Sequence, residues 1–165
     1  MPDSSVVQQP VPALRLPDEL LEKSGFVMVR LALEFKAHAL EALEEFGFSQ
    51  YHYSVLAMLR EQPRKAQSMI AEALRVDPSQ LVGVLDALED KGLIVRQRDP
   101  DDRRRHVVSL TAEGGKKLTR LRTTIDRLED EFLAPLDAAS RSTFHDLLLR
   151  LAAHHDPGCY PGPCA

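Results

Sequence analysis

Apolar residues recur along the chain in runs whose spacing changes character twice. Met28, Leu31, Phe35, Ala39, Ala42 and Phe46 follow three- and four-residue steps, which predicts a helix over residues 18 to about 46, closed by Gly47. This helix is apolar on more than one face, so it is expected to meet more than one neighbour. Ser49 is placed to cap a second helix that buries Val55, Leu56 and Leu59 and stops at Pro63. A short helix over 67–74 turns Ile70, Ala71 and Leu74 inward. After the turn Arg75-Val76, Asp77-Pro78 joins an acidic cap to a proline at the first helical position. A fourth helix then runs to about Lys91, buries Leu81, Val84, Leu85 and Leu88, and leaves Gly92 just past its end.

Strand-like runs follow. LIVRQR at 93–98 and RHVVSL at 105–110 are separated by DPDDRR, whose Asp99-Pro100 is a turn former, so a hairpin is expected. Thr111 caps a long helix in which Leu118, Leu121, Ile125, Leu128 and Phe132 form a heptad seam, ended by Pro135. A last helix over about 140–154 shows Phe144, Leu147, Leu148 and Leu151. Residues 1–17 hold Pro2, Pro10, Pro12 and Pro17 without a period and read as a flexible arm; residues 156–165 read as a Pro/Gly/Cys tail. The order predicts a mainly α fold: a winged helix-turn-helix lobe over 48–110 with a two-stranded β-wing. The helices of 18–47 and 111–155 flank it and are too apolar to stand alone.

Composition narrows the function. No apolar run approaches a membrane span, and the first residues lack a basic segment followed by an apolar one, so a cytoplasmic protein is expected. The cysteines, Cys159 and Cys164, both fall in the terminal tail and cannot staple a core. The six histidines show no metalloprotease spacing, no Cys-x-x-Cys occurs, and Asp99-Pro100-Asp101-Asp102 lacks the glycine and distal glutamate of a calcium loop. With no phosphate loop or nucleophile motif, neither an enzyme nor a bound metal or cofactor is expected. Net charge is −4, but residues 60–117 carry 12 basic and 10 acidic residues and are the only positive third of the chain. That third holds the helix pair and the hairpin.

Each of these has a plain structural reading. Short helix pairs are common core pieces, and Asp101 and Asp102 could neutralise Arg103, Arg104 and Arg105 within a solvated loop. On a narrow projection, however, guanidinium groups enter a minor groove or grip phosphates. The conjunction decides. AQSMIAEAL at 66–74, LVGVLDALEDKGLIVR at 81–96 and DPDDRRRHVVSLTAEG at 99–114 together resemble the MarR family of winged helix-turn-helix transcriptional regulators. That family typically shows D-x-x-D-R-R, a short strand and L-T-x-x-G; Asp99, Asp102, Arg103, Arg104, Leu110, Thr111 and Gly114 fall on those positions.

The resemblance implies that the helix after Asp77 reads a major groove and that Arg104, with Arg103 and Arg105 beside it, reaches the minor groove. Asp102 braces the wing by orienting Arg104. Gln67 and Ser68 are placed for phosphate contacts at a helix start. It further implies that 18–47 and 111–155 act as dimerisation helices, giving a homodimer on a pseudo-palindromic site in double-stranded DNA, with a small-molecule pocket between those helices and the DNA-binding lobe. His38, Tyr51, His52, Tyr53 and Arg122 are the polar or aromatic groups expected near that junction. One departure stands out: Gly83 replaces a residue that is commonly basic in the family. Ser79 and Gln80 remain as base-edge candidates and Val82 as a thymine-methyl contact. The expected function is a dimeric repressor relieved by a ligand. The alternative is a winged-helix module whose apolar reading helix docks on a protein.

Overall fold

A computed structural model describes residues 15–99 and 106–159 of the chain. The chain divides into two units, residues 1–36 and 37–165. In the first, α1 (Asp18–Leu21) precedes α2 (Ser24–Glu44), whose later part lies in the second. The single helix expected from residue 18 is therefore broken at Glu22-Lys23. Ser24 and Gly25 follow the break, and both residue types favour a helix start over a helix interior. Met28, Val29, Leu31 and Leu33 on α2 are exposed.

The second unit contains α3 (Gln50–Glu61), β1 (Lys65–Ala66), α4 (Gln67–Leu74), α5 (Pro78–Asp90), β2 (Ile94–Arg98), β3 (His106–Leu110), α6 (Ala112–Phe132) and α7 (Ala138–His155). A single 3-10 turn, Pro157–Cys159, follows. The core gathers Leu43 from α2, Val55, Leu56 and Leu59 from α3, and Ile70 from α4. Leu81, Val84, Leu85 and Leu88 from α5, Ile94 and Val108 from the strands, and Leu118 and Leu121 from α6 belong to it as well. Apart from Leu43, those apolar positions are the ones the helical and strand periods single out; on α2 the period singles out Met28, Leu31, Phe35, Ala39, Ala42 and Phe46, and the buried residue is Leu43 instead. The lower half of the α6 seam departs from this: Ile125, Leu128 and Phe132 are only half-buried.

The expected two-stranded wing belongs to a three-stranded antiparallel sheet in the order β1-β3-β2. β1 is two residues long and pairs Lys65 with Val108 and Ala66 with Val107. Strand periodicity has nothing to act on over two residues; the pairing is set by tertiary contact.

The turn between α4 and α5 depends on local chemistry. Arg75 adopts the left-handed conformation at φ 50°, and its N–H and that of Val76 close onto the carbonyls of Glu72 and Ala71. Asp77 then caps α5 by accepting from Ser79 N at 2.8 Å.

Where the sheet meets α6, three hydrogen bonds lock the joint. Thr111 Oγ1 accepts from Gly114 N at 3.0 Å and donates to the Gly92 carbonyl at 2.8 Å, while Thr111 N donates to the Leu93 carbonyl at 3.1 Å. Gly114 is buried directly against Leu93.

Candidate nucleic-acid interface

The candidate surface is built from three pieces of one lobe. The first is the start of α4. Its N-cap residue is Ala66, whose side chain offers no cap to the free N–H groups there. An uncapped helix start presents donors and partial positive charge to an anion. Gln67 is half-buried and Ser68 exposed at this end. Lys65, two residues before Gln67, is held in register by the β1–β3 pairing. Arg64 adopts φ 60° in the residue before that. Sequence reasoning missed these two cations; their signal was adjacency to Gln67 and Ser68.

The second piece is the outer face of α5. Ser79, Gln80, Val82, Gly83 and Asp86 are all exposed there. Ser79 differs from the rest because its hydroxyl donates to Asp77 Oδ1. Its oxygen is left free only as an acceptor. Among base edges that restricts Ser79 to the amino groups of adenine or cytosine. Hydrogen bonding from Ser79 holds the Asp77 carboxyl below its ordinary pKa, so the cap stays ionised at neutral pH. Gln80 and Val82, 40% exposed, remain as expected. A Cβ at Gly83 would meet nothing within 4 Å, so packing leaves room for a side chain there.

The third piece is the base of the wing. The β2–β3 ladder ends at the pair Arg98 and His106, with His106 exposed. Asp102, Arg103, Arg104 and Arg105 lie outside the described residues. Because β3 pairs with both β1 and β2, the strand leading away from the wing runs beside the start of α4. A groove of about 690 Å³ runs between these parts, lined by Gln67, Ser68, Glu72, Arg75, Pro78 and His106 among others.

Arg96 of β2 is a polar junction that sequence reasoning missed. Its Nη1 lies 2.7 Å from Asp86 Oδ1, and its Nε donates to Glu89 Oε2 at 2.8 Å. Its backbone N donates to Glu89 Oε1 at 2.9 Å. Hydrogen bonds from Arg96 hold the Glu89 carboxyl below its usual range.

The five residues expected at an effector pocket have individual environments. His38 packs edge-on against Phe132, ring centroids 6.3 Å apart. Tyr51 and Tyr53 are half-buried against the core, and Arg122 is half-buried on α6. Neither the groove described above nor a second one of about 370 Å³ between α6 and α7 is lined by any of the five. His52 has a structural task. Its Nδ1 accepts from Ser49 N at 3.0 Å and lies 2.8 Å from Ser49 Oγ, closing the start of α3. An amide can only donate, so Nδ1 must be unprotonated. Burial, followed by the nearby Lys91 ammonium, lowers the His52 pKa from its ordinary value.

The sign of the resulting pH effect follows. A histidine with a lowered folded pKa contributes stability above its ordinary pKa and loses it as pH falls through the folded value. Acidification from about pH 7 to pH 5 is therefore expected to destabilise the native chain more than His52→Gln. Urea midpoints of the two proteins at several pH values check this; parallel curves would contradict it.

Among the described residues no cluster of three His, Cys, Asp or Glu side chains is arranged to hold a metal ion. No described helix is long and apolar enough to cross a membrane.

Residues 48–106 match the MarR family model. A putative transcriptional regulatory protein for the hcr operon of Thauera aromatica is 40% identical over 99 residues, which is 60% of each chain. The transcriptional regulator HosA of Escherichia coli O111:H- is 32% identical over 60% of this chain and 73% of its own length. The transcriptional repressor CouR, solved bound to a 23-mer DNA duplex, superposes with a TM-score of 0.76 at 32% identity. That match covers 84% of this chain and 99% of CouR.

The chain belongs to the MarR family of transcriptional regulators. Its fold class is that of the family's winged-helix members. The match to the Thauera protein spans less than two thirds of that protein's length.

Proposed function

We propose that this MarR-family chain is a cytoplasmic, sequence-specific repressor that binds double-stranded DNA as a homodimer and is released by a small molecule. The observation that carries the reading is the uncapped, cation-flanked start of α4, joined through β1 and β3 to the base of the wing. Gln67 and Ser68, with Lys65 beside them, take a phosphate. Gln80 and Val82 read base edges, with Ser79 as an acceptor. Arg103, Arg104 and Arg105, braced by Asp102, serve the minor groove. The DNA duplex bound to CouR supports this use of the fold.

Homodimerisation is supported by the exposed apolar side chains of α7 and of the first part of α2. Two copies address a pseudo-palindromic operator. The effector is proposed to act near His38, Tyr51, Tyr53, His52 and Arg122, and it must bind the non-DNA geometry more tightly than the DNA geometry. His52 contributes there only while it keeps its bond to Ser49.

A gel shift with the DNA flanking the chain's own coding region tests the reading. Specific retardation is expected, and its absence favours the alternative in which the apolar reading helix docks on a protein. Arg104→Ala is expected to weaken operator binding and lower the slope of log affinity against log salt by about one unit. Unchanged binding and slope would remove Arg104 from the interface.

A further inference from the structure

We infer that Arg96 is a positioning residue that makes the wing and the reading helix a single rigid body. Three features of its environment support this. Arg96 belongs to β2, the edge strand beside α5, and pairs with Val108 of β3. Its backbone N–H donates to Glu89 rather than to another strand, so an α5 carboxylate closes the open edge of the sheet. Its guanidinium then reaches two carboxylates at once, Nη2 lying 2.5 Å from Glu89 Oε2 and Nη1 2.7 Å from Asp86 Oδ1. Asp86 and Glu89 are three residues apart, on successive turns of α5. A planar fork holding both fixes the strand in translation and in rotation about its own axis; a single point contact fixes only distance.

The geometry also treats a charge problem. Asp86 lies on the outer face of α5 with Ser79 and Gly83, where an uncompensated carboxylate would repel a phosphate backbone. Arg96 offsets that charge from below the face. The side chains of Arg96 and Glu89 are 24% and 35% exposed, so solvent screens this pairing less than it screens a fully exposed one.

Rigidity matters because the sheet is what aims the wing. Arg98 and His106 form the last described ladder pair, and the segment that joins them is oriented through that pair. A strand free to slide on α5 would disperse that aim.

Amide hydrogen exchange on the full-length protein tests the inference without reference to DNA. Arg96→Ala is expected to speed exchange of the β2 and β3 amides by on the order of tenfold, while α3 keeps its native protection. Arg96→Lys keeps the charge but lacks the fork, and it is expected to behave like the alanine variant. Restored protection in the lysine variant, uniform acceleration reaching α3, or no change at all would each overturn the inference.

A DNA arm rests on the proposed DNA-binding function. There Arg96→Ala and Arg104→Ala are expected to be non-additive, the double variant binding no more weakly than the worse single one. Additive losses count against the coupling. An Arg104→Ala protein that binds like the native chain counts against the DNA-binding role of the wing, and the exchange measurement still decides the inference.

Discussion

Gly114→Ala is expected to destabilise the chain by about 3 kcal/mol, which for a protein of this size lowers the melting temperature by roughly 6–12 °C. A Cβ at this position would stand 2.0 Å from the Leu93 carbonyl oxygen and 2.8 Å from Leu110 Cδ1. The first obstacle is backbone, so no rotamer change relieves it. Nor can the backbone retreat freely. The same Leu93 carbonyl accepts from Thr111 N, Thr111 Oγ1 donates to Gly92, and Gly114 N donates back to Thr111 Oγ1. Moving α6 away from β2 breaks the cap and the sheet junction together. Gly115 is the internal control. A Cβ there meets only the end of the Arg60 side chain at 3.4 Å, so Gly115→Ala should be neutral or stabilising by up to about 1 kcal/mol, since alanine is the better helix former. Thermal melts of the two variants check the contrast. Equal midpoints would mean that the close approach of α6 to Leu93 is not what holds the joint.

That joint illustrates how much of the molecule is legible in the sequence. Thr111 reads as a cap and LTAEG as a family motif. The need for glycine does not read at all, because it comes from a carbonyl 21 residues earlier in the chain, at Leu93. Local signals gave good element bounds at the turn between α4 and α5, where the chemistry is local. The residue range 67–74 and the Asp77-Pro78 start of α5 both agree with the structure, since caps and prolines act on their own neighbours. β1 and the Arg96 junction did not show, because each is defined by a partner across the fold. Arg96 reads as one more strand cation until α5 is folded back beside it. The residues offered for an effector pocket were polar or aromatic groups expected near the junction of the dimerisation helices and the DNA-binding lobe. His52 shows the weakness of that choice: burial and Ser49 give it a task that any pocket role must share. The wing arginines were recognised from their motif, and they lie outside the described residues, so their contacts rest on the proposed function.

The paired substitution Leu147→Glu and Leu151→Glu is expected to convert the proposed homodimer to a folded monomer and to weaken operator binding by roughly a hundredfold or more. The two leucines are 49% and 55% exposed within one chain, and α7 contributes no buried residue to the lobe. Phe144 and Leu148 are exposed on the same helix, so an apolar surface that a soluble chain seldom leaves open extends along α7. Carboxylates at its centre would be buried without partners by any second copy, and that cost falls on association, not on the lobe's own core. The loss in DNA affinity follows from linkage. When two lobes are joined, the second half-site is met at high effective concentration, and separating the lobes forfeits a factor of about 10² to 10⁴. Sedimentation and titration with a two-half-site duplex measure the two effects on one sample. A variant that remains dimeric would move the interface away from α7. A monomer that binds the full site as tightly as the native protein would instead show that one lobe suffices, and would remove the pseudo-palindromic operator from the proposed function.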